Sequence, residues 1–166
     1  LQHPALAIEQ SRLITDSMAE KARDNLLRAM HLRLEYSERG YEQVDEAEQL
    51  VDRYEDKLGT YLMKLTGRSL TPEQTEEVAK YLHTISDFER ISDHACNIAD
   101  VCQEIDEKKV VFSPNAVHEL QVLESAVTEI LSTAIDAFVN GNLQLAARVE
   151  PLEEIIDGLC DEVKSH

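Results

Sequence analysis

The residues of this chain that could do chemistry are carboxylates at helical spacing. Glu89 and Asp93 stand four positions apart, and Asp100 follows further along the same stretch. At about 100° per residue these three fall within a narrow arc, and Glu89 and Asp93 project to the same side. Upstream, Asp45, Glu48, Asp52 and Glu55 form a second ladder; downstream, Glu150, Glu153 and Asp157 form a third. Like charges one turn apart repel by about 0.2–0.5 kcal/mol when exposed, and ladders brought together between helices would repel more. Multivalent cations remove that penalty, because carboxylate oxygens are hard ligands. Such a site suits Mg²⁺, Mn²⁺, Fe or Ca²⁺, with zinc an option. Acids that merely keep a helix flank soluble would have the same spacing, and spacing alone leaves both readings open.

Other chemistries find little support. No Glu-x-x-His pair of the di-iron carboxylate type occurs. His94 follows Asp93 and reads either as an extra ligand or cap or as a hydrogen-bonded histidine, while His31, His83 and His118 show no metal spacing. The three cysteines, Cys96, Cys102 and Cys160, include no C-x-x-C pair and read as reduced thiols. Cys96 and Cys102, near or on an apolar seam, read as small buried hydrophobes. The five glycines are too dispersed for a phosphate-cradling loop. No local Ser/His/Asp or Cys/His grouping points to catalysis, so the chain reads as a non-enzyme.

The 166 residues carry 33 acids against 16 Lys and Arg, a formal net charge of −17. That balance argues against nucleic acid as a partner and against attachment to anionic lipid. A hydrophobic share of 43% is ordinary for a globular protein, enough for one domain or two small ones. No apolar run reaches membrane-spanning length and no signal peptide is visible. The chain begins Leu1-Gln2-His3-Pro4 without Met, which leaves a membrane segment ahead of it open.

The elements that must position the acids are long helices. Apolar residues recur at alternating steps of three and four: Ile8, Met18, Ala22, Leu26, Ala29, Leu32 and Tyr36; then Val44, Ala47, Val51, Tyr54, Leu58, Tyr61 and Leu65. A third run is Val78, Tyr81, Ile85, Phe88, Ala95, Ala99 and Cys102, a fourth Ala116, Leu120, Leu123, Val127, Ile130, Ala134 and Ala137, and a fifth Leu145, Val149, Leu152, Ile156, Leu159 and Val163. This is the pattern of helices packed lengthwise, and it predicts an all-α, up-and-down bundle of long antiparallel helices. Gly40 and Gly67 are expected as left-handed C-caps. Thr71-Pro72-Glu73-Gln74 is a capping box with proline at the first helical position, and Ser113-Pro114 opens the fourth helix. Gly59, inside the second helix, suggests either close helix packing or a kink. The acids around Val44–Asp56 match those around Val149–Asp161, which suggests an internal repeat. Residues 1–110 would be a first three-helix unit and 111–166 a partial second one, packed as one continuous bundle. The second unit would lack its third helix and leave an apolar flank to be covered.

The stretch Ile85-Ser-Asp-Phe-Glu-Arg-Ile-Ser-Asp-His-Ala-Cys-Asn-Ile-Ala-Asp100 resembles the signature of the PhoU family, a pattern like D-L-E-R-I-G-D-H-A-x-N-I-A. Glu89 and Asp93 match its acids, and Arg90, Ile91, His94, Ala95, Asn97, Ile98 and Ala99 match as well. Asp45, Glu48 and Asp52 lie where that family's other acidic helix falls. The resemblance implies a regulatory, non-enzymatic role in phosphate uptake. It implies metal ions (Fe, Zn, Mn or Mg) in multinuclear clusters on the acidic motifs. The expected ligands are Glu89 and Asp93, with Asp45, Glu48 and Asp52 facing them and Asp100 as a further candidate. Helix three looks closest to the cytoplasmic PhoU-like tails of bacterial sodium-dependent phosphate cotransporters. That implies a cytoplasmic domain tethered to the inner face of the plasma membrane. Its partner would be a membrane phosphate transporter, either its own transmembrane part or a separate protein; a homodimer is a further option. A stand-alone regulator of a phosphate ABC transporter and its sensor kinase, or a metal-free acidic helical adaptor, are the alternatives. Set against the family pattern, these 166 residues would hold no sixth helix with the second acidic motif, and they carry Ser86 and Ser92 where small residues or glycine are usual.

Overall fold

The structure is a computed structural model that describes residues 3–140. The fifth apolar run, the acids Glu150, Glu153 and Asp157 and the second half of the expected repeat lie outside the described residues. Within them the chain forms four α-helices and no strand: α1 (Pro4–His31), α2 (Glu38–Thr66), α3 (Pro72–Lys108) and α4 (Pro114–Val139). This is the expected all-α bundle. Short connections turn α2 back along α1 and α3 back along α2, whereas α4 returns against α1. Contacts run in antiparallel register between α1 and α2 (Asn25 with Val44), and between α1 and α4 (Arg33 with Glu124, Arg23 with Asp136). They run in parallel register between α1 and α3 (Asn25 with Ser92).

Helix α1 is the axis of the fold, packing against α2, α3 and α4. Its small residues permit this: Ala7, Ala19, Ala22 and Ala29 are fully buried, so neighbouring helices approach closely. Every seam residue named for the third run is buried, as are Val44, Val51, Leu58 and Leu65 of the second. Phe138 of α4 meets Phe88 of α3 edge to face, with centroids 5.4 Å apart. Two polar ties cross the core. Asn25 Nδ2 donates to the Val44 carbonyl (3.3 Å) and to Ser92 Oγ (3.1 Å), joining three helices at one point. Ser92, where the family pattern has glycine, is thus a hydrogen-bond partner in the core. Arg33, in the turn just past α1, donates through Nε and Nη2 to both oxygens of Glu124 (2.6 and 3.0 Å), a bidentate pair that holds α4 at that end of α1.

The helix starts follow the sequence signals. Thr71 and Gln74 form the full capping box, and Ser113 accepts from the Ala116 N–H at 3.1 Å. The two glycine caps do not follow them. Helix α1 stops at His31, and Gly40 lies in the first turn of α2, because extended Ser37 caps that helix by accepting the Gly40 N–H at 2.9 Å. Glycine suits the position through close approach: a Cβ there would sit 2.7 Å from Leu32 Cδ2 and 2.9 Å from Ser37 Oγ. Gly67 does end α2, but in a right-handed conformation (φ −79°, ψ −2°). The left-handed cap is Lys109, at the end of α3, with φ 54°. Helix α2 runs unbroken through Gly59, where a Cβ would meet Ile85 Cδ1 at an ordinary 3.6 Å.

These contacts predict opposite outcomes for one substitution at two glycines. Gly59→Ala should raise stability by about 0.5–1 kcal/mol through helix propensity, whereas Gly40→Ala should lower it by about 1 kcal/mol by displacing the Ser37 cap. Asn25→Ala should cost about 1–3 kcal/mol, since it removes the amide that donates to Ser92 Oγ and adds a second donor to the Val44 carbonyl. Urea denaturation of the three variants beside the wild type measures all three differences.

Candidate metal centre

Helices α2 and α3 pair along their length in one antiparallel register. Tyr41 of α2 lies against Asp100 of α3, Asp45 against Cys96, Glu48 against Asp93, Asp52 against Glu89, and Glu55 against Ser86. Each step up α2 is matched by an equal step down α3. The acids sit one position off the buried seam, so when the two seams meet, the two ladders line the groove above them.

Five of the six expected ligands converge there. Glu48, Asp52 and Glu89 each offer an oxygen, and these atoms lie within 4.8 Å of one another. Asp45 and Glu48 form a second group of the same tightness with the Cys96 thiol, so Glu48 belongs to both. Asp93 lies between the ladders, in hydrogen-bond contact with Glu48 and Glu89, each of which donates to it when protonated. The sixth residue, Asp100, is engaged elsewhere: the Tyr41 hydroxyl donates to its Oδ1 at 2.5 Å, and it belongs to neither group. Two further residues face the groove. Glu55 adds a carboxylate beside Asp52 and hydrogen-bonds with Ser86. Cys96, half-buried, turns its thiol toward the acids, whereas Cys102 enters the core as expected.

The electrostatics record the crowding. Partial burial, then the contact with Asp93 and the nearby Glu55 and Asp52, push the Glu89 carboxyl up to about 8. Burial and the neighbouring Asp93, Asp52 and Asp45 raise Glu48 in the same way, and burial with Asp52 and Asp56 raises Glu55. The charges that dominate at these three residues are all other carboxylates. Like charges forced together hold protons until something more positive replaces them. Several mutually repelling oxygen donors, Glu48 and Glu89 partly buried and Asp45, Asp52 and Asp93 exposed, are the donor chemistry that a hard multivalent cation satisfies. The residues present therefore fit the metal that the signature implies, with Glu48, Asp52 and Glu89 as the all-carboxylate set.

The comparisons with known proteins agree with the signature. The sequence profile of the PhoU domain matches residues 15–102, which takes in α2, nearly all of α3 and every acid of the groove. The chain is 25% identical over 158 residues to the phosphate-specific transport system accessory protein PhoU homolog 1 of Thermotoga maritima. That alignment covers 95% of this chain and 58% of the relative, so the chain spans under three-fifths of the relative's length. No solved structure gives a significant match. With its profile match covering more than half of the chain and centred on the acidic hairpin, this chain belongs to the PhoU family.

Proposed function

We propose that this chain is a regulatory domain of phosphate uptake that acts through a metal-clamped α2–α3 hairpin. The observation that carries the reading is the acidic groove. It lies within the segment matched by the family profile, and its carboxylates meet across two helices rather than along one. In this reading Glu48, Asp52 and Glu89 hold an ion, with Asp93 and Asp45 completing the shell. The ion would supply positive charge that holds the two helices together, and the surface so ordered would dock on a transport partner. No group in the chain is assigned a catalytic task. No described helix is long and apolar enough to cross a membrane. We place the domain on the cytoplasmic side, as the tail of a sodium-dependent phosphate cotransporter. A second reading, a separate accessory protein of a phosphate-specific transport system, is supported by the name of the Thermotoga maritima relative.

Uptake of radiolabelled phosphate tests the regulatory reading. Cells lacking the gene should take up more phosphate under replete conditions, the wild-type gene should restore restraint, and a Glu48→Gln/Glu89→Gln gene should not. Unchanged uptake in the deletion strain would overturn the reading. Fractionation separates the two forms: a cotransporter tail stays with membranes through a carbonate wash, and a separate accessory protein is released.

Metal binding should appear as stability. A cation at a hundredfold excess over its Kd adds about 2.7 kcal/mol to the native state. Mn²⁺ should therefore raise the melting temperature of chelator-stripped wild type and leave Glu48→Gln/Glu89→Gln unmoved. The stripped protein should also carry a pH signature. Glu89 holds its proton up to about 8 when folded, against an ordinary value of 4.5. The folded state then binds more protons than the unfolded one across that window. Its contribution is complete below pH 4.5 and is lost as pH rises toward 8. Without cation the melting temperature should fall across this range, and Glu89→Gln should flatten the fall.

A further inference from the structure

Helix α1 contributes no acid to the groove, yet one of its side chains reaches the residues beside it. Asn25 and Ser92 are both fully buried, and Asn25 Nδ2 donates to Ser92 Oγ of α3 (3.1 Å) and to the Val44 carbonyl of α2 (3.3 Å). The amide can sit only this way round, because its own oxygen in that place would repel the Val44 carbonyl. Each bond lands one residue before a groove acid: Val44 precedes Asp45, and Ser92 precedes Asp93. In an α-helix the Val44 carbonyl also accepts the Glu48 N–H, so the same point carries Glu48.

Stability is a poor reason for this amide. Asn25 Oδ1 is buried without a hydrogen-bond partner among the described residues, a penalty that a leucine of the same branching would not carry. What the amide adds is direction. The seams of α2 and α3 meet through apolar burial, which is non-directional. Ligand distances around a cation, by contrast, tolerate only about 0.2 Å. Ser92 also stands where the family pattern has glycine, so this chain carries the tie at a place where that pattern has no side chain.

We propose that Asn25 is a positioning residue of the metal centre: from α1 it sets the height at which Asp45 and Glu48 of α2 face Asp93 of α3. The inference rests on the metal-binding reading above and goes beyond it, placing a determinant of affinity on a helix that holds no ligand. The groove thereby answers to α1, and a shift of α1 that broke the tie would loosen the site.

Calorimetric titration of the chelator-stripped full chain with Mn²⁺ tests the role. Asn25→Leu and Asn25→Ala should each raise the Mn²⁺ Kd about tenfold or more. Ser92→Ala keeps the bond to Val44 and should raise it by less; adding Ser92→Ala to Asn25→Ala should raise it no further. A purely structural role would show in the melting temperature and not in Kd. Leu131→Ala, a truncation at a fully buried position of α4, is the control: it should lower the melting temperature and leave Kd unchanged. Circular dichroism checks that each variant is helical before titration. Where Asn25→Leu proves too bulky to fold, Asn25→Ala and Ser92→Ala carry the comparison. An unchanged Kd in the folded Asn25 variants, or an equal rise in Leu131→Ala, would overturn the positioning role and leave the metal site standing. Failure of the wild type to bind Mn²⁺ would overturn both.

Discussion

The constraint on which this structure depends is a conflict between burial and charge along one helix pair. The seams of α2 and α3 bury Val44, Val51 and Leu58 on one side and Phe88, Ile91 and Ala95 on the other. Each fully buried side chain of this kind contributes about 1.5–3 kcal/mol, which far exceeds the repulsion of one exposed carboxylate pair. Packing therefore decides the register, and the acids beside the seams must accept it. The conflict shows as carboxyls pushed above their ordinary range at Glu48 and Glu89 by burial and the neighbouring acids, and cations would relieve it. The net charge of −17 is thus not a uniform coat. A substantial part of it is concentrated in one groove, where it gives the hairpin a reason to bind metal.

The rest of the described fold holds that hairpin in place. Helix α1 backs it with small residues, so α2 and α3 can lie close together. Asn25 ties the three helices at one point, through Ser92 of the signature helix and the Val44 carbonyl next to Asp45. The acids and the core thus share backbone: Asp45 follows Val44 and Asp93 follows Ser92. Helix α4 closes the far side of α1 through Arg33 and Glu124. It lies away from the groove, which leaves the acidic face of the hairpin open among the described residues.

Periodicity made the helices legible, because a step of three and four residues has only one regular interpretation at this length. The capping box at Thr71 and the Ser-Pro start at Ser113 were legible for the same local reason: side chain and backbone partner lie three residues apart. Caps that depend on tertiary context were not. Gly40 looked like a helix end because glycine is the common one, but Ser37 had the stronger local claim, and Leu32 packs where a Cβ would go. The convergence of Glu48, Asp52 and Glu89 needed the register of two helices, which neither ladder contains. The signature indicated that they should meet; spacing alone could not separate a site from a soluble flank. Asp100 went to Tyr41, a partner visible only once that register exists. Cys96 was passed over because a cysteine near a seam is usually core. The signal that would have found it is its place one turn beyond Asp93, on the acidic stripe.

The most direct measurement of the central claim is anomalous diffraction from crystals of the chain grown with Mn²⁺ and with Zn²⁺. The account predicts an anomalous peak in the α2–α3 groove in contact with Glu48, Asp52 and Glu89. Ordered metal found only elsewhere on the surface, with these three carboxylates bonded to water alone, would contradict it.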